Sequence, residues 1–257
     1  MFHTIDLTRD GASDFDTLTQ SIPFEQFPPT RQVANIAEFN SKGHIPIVRT
    51  TTTYKQQVQP MPPAFLALRD AITKAITTAT GRCPEFNNAM AELYEPEYRK
   101  MGFHTDQAQD LAEDSLICIS SCYESSSASS TPSNGKAVKP SPPRLLIVND
   151  KRSGDEKNVT EIPMHDNSRI VFSTATKALH KHKIVGRGCT RRWLGITFRT
   201  SKTYVERREE KLYFVDSGRL LREAREEEAV EIRKCKGEEN RETAFEWPEM
   251  DFTLSEH

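Results

Sequence analysis

From Asn87 onwards the sequence breaks into short apolar runs of period two, and this pattern restricts the fold more than any other feature. AMAELYEP, SLICISSCY, RLLIVND, SRIVFSTA and WLGITFRTS each look like a strand of about 5–8 residues. Ahead of them, residues 64–80 (AFLALRDAITKAITTAT) place apolar side chains at helical spacing and stop before Gly81, which predicts one amphipathic helix. One helix followed by many short strands with hairpin-length connections predicts an α+β chain, mainly β. The expected form is a double-sheet or jelly-roll barrel with flanking helices.

A chain of 257 residues fits one such domain, and we expect 1–257 to be a single unit. Residues 1–60 carry little regular pattern and are rich in Thr, Gln and Pro. Their one strand-like run is Ile45–Tyr54, with Pro46 to Tyr54 a candidate lid over a pocket. Glu124–Pro143 (ESSSASSTPSNGKAVKPSPP) has almost no apolar anchor and reads as an insertion joining two strands. The stretch SGRLLREAREEEAVEIRKCKGEEN is expected to form one exposed, highly charged helix. The N-terminus lacks the pattern of a signal peptide, and no run of about 18 apolar residues suggests a membrane span. Five cysteines without paired zinc spacing read as reduced thiols, so cytoplasm or nucleus is the expected location.

Candidate chemistry begins at GFHTDQ. His104 and Asp106 are two apart, so on a strand both side chains project from one face and can converge on one ion. A third ligand must come from a later strand, and FSTATKALHKHKI offers His180 or His182. Two imidazoles and a carboxylate on one face of an octahedral metal leave three positions open, the arrangement that non-haem Fe(II) oxygenases use. Beyond these, ITFRTSK puts Arg199 and Ser201 two apart. A guanidinium fork suits a carboxylate, and a hydroxyl adds a donor. Tyr94, ten residues before His104, could add a phenolic hydroxyl.

The order Tyr94, His104-Thr105-Asp106, His182-Lys183-Ile184, Thr197-Phe198-Arg199 resembles the AlkB-like branch of the 2-oxoglutarate/Fe(II)-dependent dioxygenases, across roughly Phe86 to Tyr204. The resemblance implies a double-stranded β-helix, with Fe(II) held by His104, Asp106 and His182. His182 is chosen over His180 because the family's third ligand is typically followed by x-Ile. It further implies that 2-oxoglutarate is the co-substrate, with Arg199 at its distal C5 carboxylate, supported by Ser201 and Tyr94. The chain departs from the family in two places. The second arginine usual six residues before Arg199 is Trp193, with Arg192 beside it, and the asparagine usual two before the tyrosine is Glu92. If Arg192 takes the missing role, Arg199 faces the C1 carboxylate instead.

Three functions fit this reading. The first is hydroxylation of a small molecule, with release of succinate and CO2, and specialised metabolism is one setting for it. The second is oxidative demethylation of an alkylated base in DNA or RNA, flipped into the pocket. In its favour, Lys177 to Lys202 holds eight Lys or Arg and no acid, a possible phosphate patch. The third is a barrel that binds metal without catalysis. The net charge of −2 and the missing second arginine favour the small molecule.

Overall fold

The computed structural model describes residues 1–6, 14–98, 101–125, 141–155 and 157–255. In chain order the elements are β1 (His3–Asp6), α1 (Phe15–Gln20), β2 (Glu25–Phe27), β3 (Arg31–Ala37), β4 (Ile45–Pro46), β5 (Gln59–Pro60), α2 (Pro63–Thr80) and β6 (Asn88–Tyr94). There follow β7 (Leu116–Tyr123), β8 (Arg144–Asp150), β9 (Val159–Met164), β10 (Ser168–Ser173), α3 (Thr174–Leu179), β11 (His180–Val185) and β12 (Trp193–Arg199). The last are β13 (Tyr204–Arg208), β14 (Lys211–Phe214), β15 (Leu220–Glu223), α4 (Glu226–Glu239) and β16 (Phe252–Thr253). The five period-two runs are thus β6, β7, β8, β10 and β12. No described helix is long and apolar enough to cross a membrane, and all five cysteines are free thiols.

The large sheet runs β1-β10-β7-β12-β6-β3-β2, with β5 beside β3, and a smaller one runs β11-β8-β9. Between β7 and β12 the chain alternates between them: β7, β10 and β12 lie in the large sheet, and β8 and β11 in the small one. The period of two explains the layers. Leu116, Cys118 and Cys122 of β7, Ile196 and Phe198 of β12, and Ala89, Ala91 and Leu93 of β6 face one way. They pack against Phe65, Leu68, Ile72 and Ile76, the buried stripe of α2. That helix opens on Pro63, where a missing N–H costs nothing, and ends at Gly81 with φ +71°.

The alternate residues, Ile117 and Ile119 of β7, Tyr94 of β6 and Trp193 of β12, face the small sheet. There they meet Leu146 and Val148 of β8 and Ile184 of β11. His182 shares the inward parity of Ile184 on β11, and Arg199 that of Trp193 on β12. Gly195 lies between them on β12, and the Trp193 ring folds back over it, its Nε1 donating to Ser121 Oγ at 2.7 Å. A Cβ at position 195 would stand 2.0 Å from that ring. Gly195→Ala is therefore expected to destabilise the fold by about 1–3 kcal/mol, through overpacking of a filled interior. Urea unfolding monitored by circular dichroism would measure it.

Three expectations need correction. Of Ile45–Tyr54 only Ile45–Pro46 is strand. Strand β3 went unrecognised because Arg31, Gln32 and Asn35 interrupt its apolar alternation, although it pairs along its whole length with β6. The acidic C-terminal stretch is not one exposed helix. Its start is strand β15, and α4 buries Glu228, Ile232, Cys235 and Glu239. The Ser-rich insertion lies almost entirely outside the described residues.

Candidate active site

His104 enters the site by pairing with β11. Its N–H donates to His182 O at 2.9 Å, and the His182 N–H donates back to His104 O at 2.7 Å. This reciprocal bridge brings the two rings to a centroid separation of 4.6 Å. Asp106, two residues on, projects to the same place, and its Oδ2 lies 3.9 Å from His182 Nε2. The fold therefore gathers His104, Asp106 and His182 from two segments far apart in sequence. His180 is not part of this group. Its Nδ1 sits 2.7 Å from Thr176 O at the end of α3, and its ring packs edge-on to Phe2.

Electrostatics give Asp106 and His182 the protonation states of metal ligands. Burial opposes ionisation of Asp106, but Arg199, then His182 and His104, hold its carboxyl well below the usual carboxylate range. Burial, followed by the neighbouring His104, pushes the pKa of His182 down to about 3, so the imidazole is neutral near pH 7. Among the described residues no three side chains of the metal-binding types have their donors jointly at coordination distance. Asp106 Oδ1 is already engaged, accepting from Arg199 Nη2 at 2.5 Å. Asp106 Oδ2 is nevertheless buried and accepts no hydrogen bond. A cation between it and His182 would satisfy an otherwise orphaned oxygen, so the donor set fits a divalent metal.

Beside these residues opens a cavity of about 380 Å³, lined by His104, Asp106 and Arg199 together with Met90 and Glu92 of β6, Tyr98 and Phe103. The expected lid forms part of its wall, through Val48, Thr50, Thr51, Thr52 and Tyr54. That segment is fixed in place. The Arg49 guanidinium donates to Asp110 Oδ1 at 2.7 Å and to Met250 O at 2.7 Å, and the Arg49 N–H donates to Asp110 Oδ2 at 2.7 Å.

The remaining sequence candidates divide. Arg199 lines the cavity, but its nearest anion is Asp106, and its buried Nε has no partner. Ser201 and Tyr94 do not line the cavity. The Ser201 hydroxyl donates to Ile47 O at 2.6 Å. The Tyr94 hydroxyl donates to Glu92 Oε1 at 3.0 Å. Arg192 faces the other side of β12, bonding Glu95 at 3.2 Å with its guanidinium near the Phe15 ring, so it does not stand in for the arginine missing at Trp193. Several lining residues escaped the sequence reading, three of them polar residues from distant elements. Arg31 of β3 pairs with Glu92 at 2.7 Å, and Lys236 and Asn240 come from the end of α4. For Arg31 a signal existed, since the unexpected acid at Glu92 called for a basic partner.

No protein-family model matches the chain, and no curated protein matches it in sequence. Solved structures do match. The structure of OsALKBH1 superposes with a TM-score of 0.52 at 11% identity, covering 77% of this chain and 97% of that one. The two share a fold. A prolyl hydroxylase from Trichoplax adhaerens, in complex with a peptide fragment of the hypoxia inducible factor oxygen degradation domain, gives a TM-score of 0.45 at 12% identity. It covers 78% of this chain and 84% of that one.

Proposed function

We propose that the chain is an Fe(II)- and 2-oxoglutarate-dependent dioxygenase, built on a double-stranded β-helix and acting on a small molecule. One set of contacts supports this reading: His104 and Asp106 line the cavity and His182 lies buried behind them, giving an ionised carboxylate, a neutral buried imidazole and an unsatisfied carboxylate oxygen side by side. These three would hold the metal. When bound, Fe(II) with 2-oxoglutarate supplies the capacity to oxidise a C–H bond with O2, giving succinate and CO2.

The protein's own residues orient and enclose. Arg199 steadies Asp106 and offers its unpartnered Nε to a carboxylate of the co-substrate. Segment 48–54, anchored by Arg49, walls the cavity from water. Arg31 and Glu92 neutralise each other on the opposite wall. The Lys177–Lys202 run supports the small molecule over nucleic acid. Lys177 pairs with Glu239, Arg187 with Glu161, Arg191 with Asp166, Arg192 with Glu95, Arg199 with Asp106 and Lys202 with Glu113. Six of the eight cations are thus matched by an acid, while Lys181 and Lys183 lie over the Phe103 ring, so the run offers phosphates less net field than its composition suggests.

The test is to load the protein with Fe(II) and 2-oxoglutarate in air. Succinate and product mass are then followed with a cellular metabolite extract and, separately, with methylated oligonucleotides. Succinate coupled to oxidation of an extract component is the expected result. No succinate from either mixture would overturn the dioxygenase, and product from the oligonucleotides alone would overturn the small molecule.

A further inference from the structure

We propose that the last turn of α4 is a positioning clamp for the segment carrying His104 and Asp106, with Lys236 and Asn240 gripping the residue between them. The inference rests on the iron reading above and extends it to a part of the chain remote in sequence.

Strand geometry creates the need. Along an extended chain, backbone N–H and C=O groups point alternately to the two sides. Residue 104 spends its pair on His182 of β11. Thr105 must therefore direct its own N–H and C=O the other way, to an edge where no strand lies. Thr105 is 1% exposed, so water cannot satisfy them, and buried backbone groups left unpaired are destabilising.

Helix α4 supplies the partners. The Thr105 N–H donates to Asn240 Oδ1 at 2.9 Å, and its hydroxyl lies 3.1 Å from the same oxygen. Lys236 Nζ donates to Thr105 O at 2.5 Å and reaches the hydroxyl at 3.1 Å. Every polar group of the middle residue is thus held by one helix end, and this fixes the strand's rotation. His104 and Asp106 flank that residue on the opposite face, so the same grip sets where their side chains aim.

Glu239 braces the clamp against both halves of the site. Its carboxylate accepts from Lys236 at 2.7 Å and from the Ala108 N–H at 2.8 Å, just beyond Asp106. It also accepts at 2.5 Å from Lys177 of α3, the helix that leads into β11 and His182. One buried carboxylate therefore links α4 to both segments that bear the proposed ligands.

If α4 merely docked to stabilise the fold, its contacts would matter to melting and not to metal affinity. The experiment titrates Co(II) into the full chain, reading its visible absorption bands, alongside thermal melting without metal. Asn240→Leu is expected to weaken Co(II) binding about 10- to 100-fold, the usual cost of losing an outer partner of a ligand. Asn240→Asp, which keeps an acceptor for the Thr105 N–H, should recover most of that loss. Thr105→Val keeps the side-chain shape, removes only the hydroxyl bonds, and should weaken binding in the same direction; it decides the matter if Asn240→Leu does not fold. Unchanged affinity in both Asn240→Leu and Thr105→Val, beside a wild type that binds, would overturn the clamp alone. Failure of the wild type to bind Co(II) would overturn the metal site itself, and the clamp with it.

Discussion

Alanine in place of His182 is expected to abolish Fe(II) binding and succinate formation, whereas His180→Ala leaves both near the wild-type level. The two histidines share a strand and a face, so sequence alone offers either. What separates them is their surroundings. His182 is 5% exposed, kept neutral by burial, and faces the one Asp106 oxygen that has no hydrogen bond. His180 is occupied by Thr176 O and Phe2. Removing a direct ligand should cost well beyond the roughly 10- to 100-fold typical of outer partners. Anaerobic Fe(II) titration and succinate release read both effects. His182 is a cleaner probe than Asp106, because Asp106→Ala would also strand the buried Arg199 guanidinium without its anion. Retained binding in His182→Ala with loss in His180→Ala would reverse the assignment.

Much of the scaffold was legible because burial on both sides of a sheet imposes a pattern that the chain must obey. Strands β6, β7, β8, β10 and β12 each appear as an apolar run, and α2 as a stripe closed by Gly81. Strand β3 was hidden because part of its inward face is polar: Arg31 serves Glu92, and Asn35 lies opposite Met90. The His104–Asp106 pair could be read from strand parity alone. The fate of Arg199 could not. A guanidinium two residues from Ser201 suits a co-substrate carboxylate equally well on paper, and only the fold shows Asp106, 93 positions away in sequence, already in its grasp. The role of α4 had no local signal at all. Its composition describes a solvated helix, and the half-buried Lys236 and buried Glu239 are tolerated because they pair with each other, Lys236 also donating to Thr105 O and Glu239 also accepting from Lys177.

The largest loss of stability outside the proposed metal ligands is expected at Arg49. Its side chain is 8% exposed and that of Asp110 0% exposed, so the pair sits in a region that water barely reaches. The guanidinium binds Asp110 through Nε and Nη2, donates to Met250 O, and lies over the Phe214 ring at 5.4 Å. It therefore joins the cavity wall at 48–54, the turn that follows Asp106, and the C-terminal segment. Arg49→Ala leaves a buried carboxylate without its counter-charge, which typically costs about 3–5 kcal/mol, or roughly 6–20 °C in Tm for a chain of this size. The attraction itself is not what would be lost, since much of it offsets the cost of taking two charges out of water. Arg49→Met combined with Asp110→Leu should therefore be more stable than either single charge deletion. Differential scanning calorimetry of the two single variants and the double variant separates these effects. A double variant as unstable as the sum of the singles would show that the hydrogen bonds to Met250 and to the Arg49 backbone dominate, and that the ion pair does not. The cavity should report on the same contact: with the wall released, water entry is expected to raise succinate formation uncoupled from substrate oxidation even where Arg49→Ala remains folded at the assay temperature.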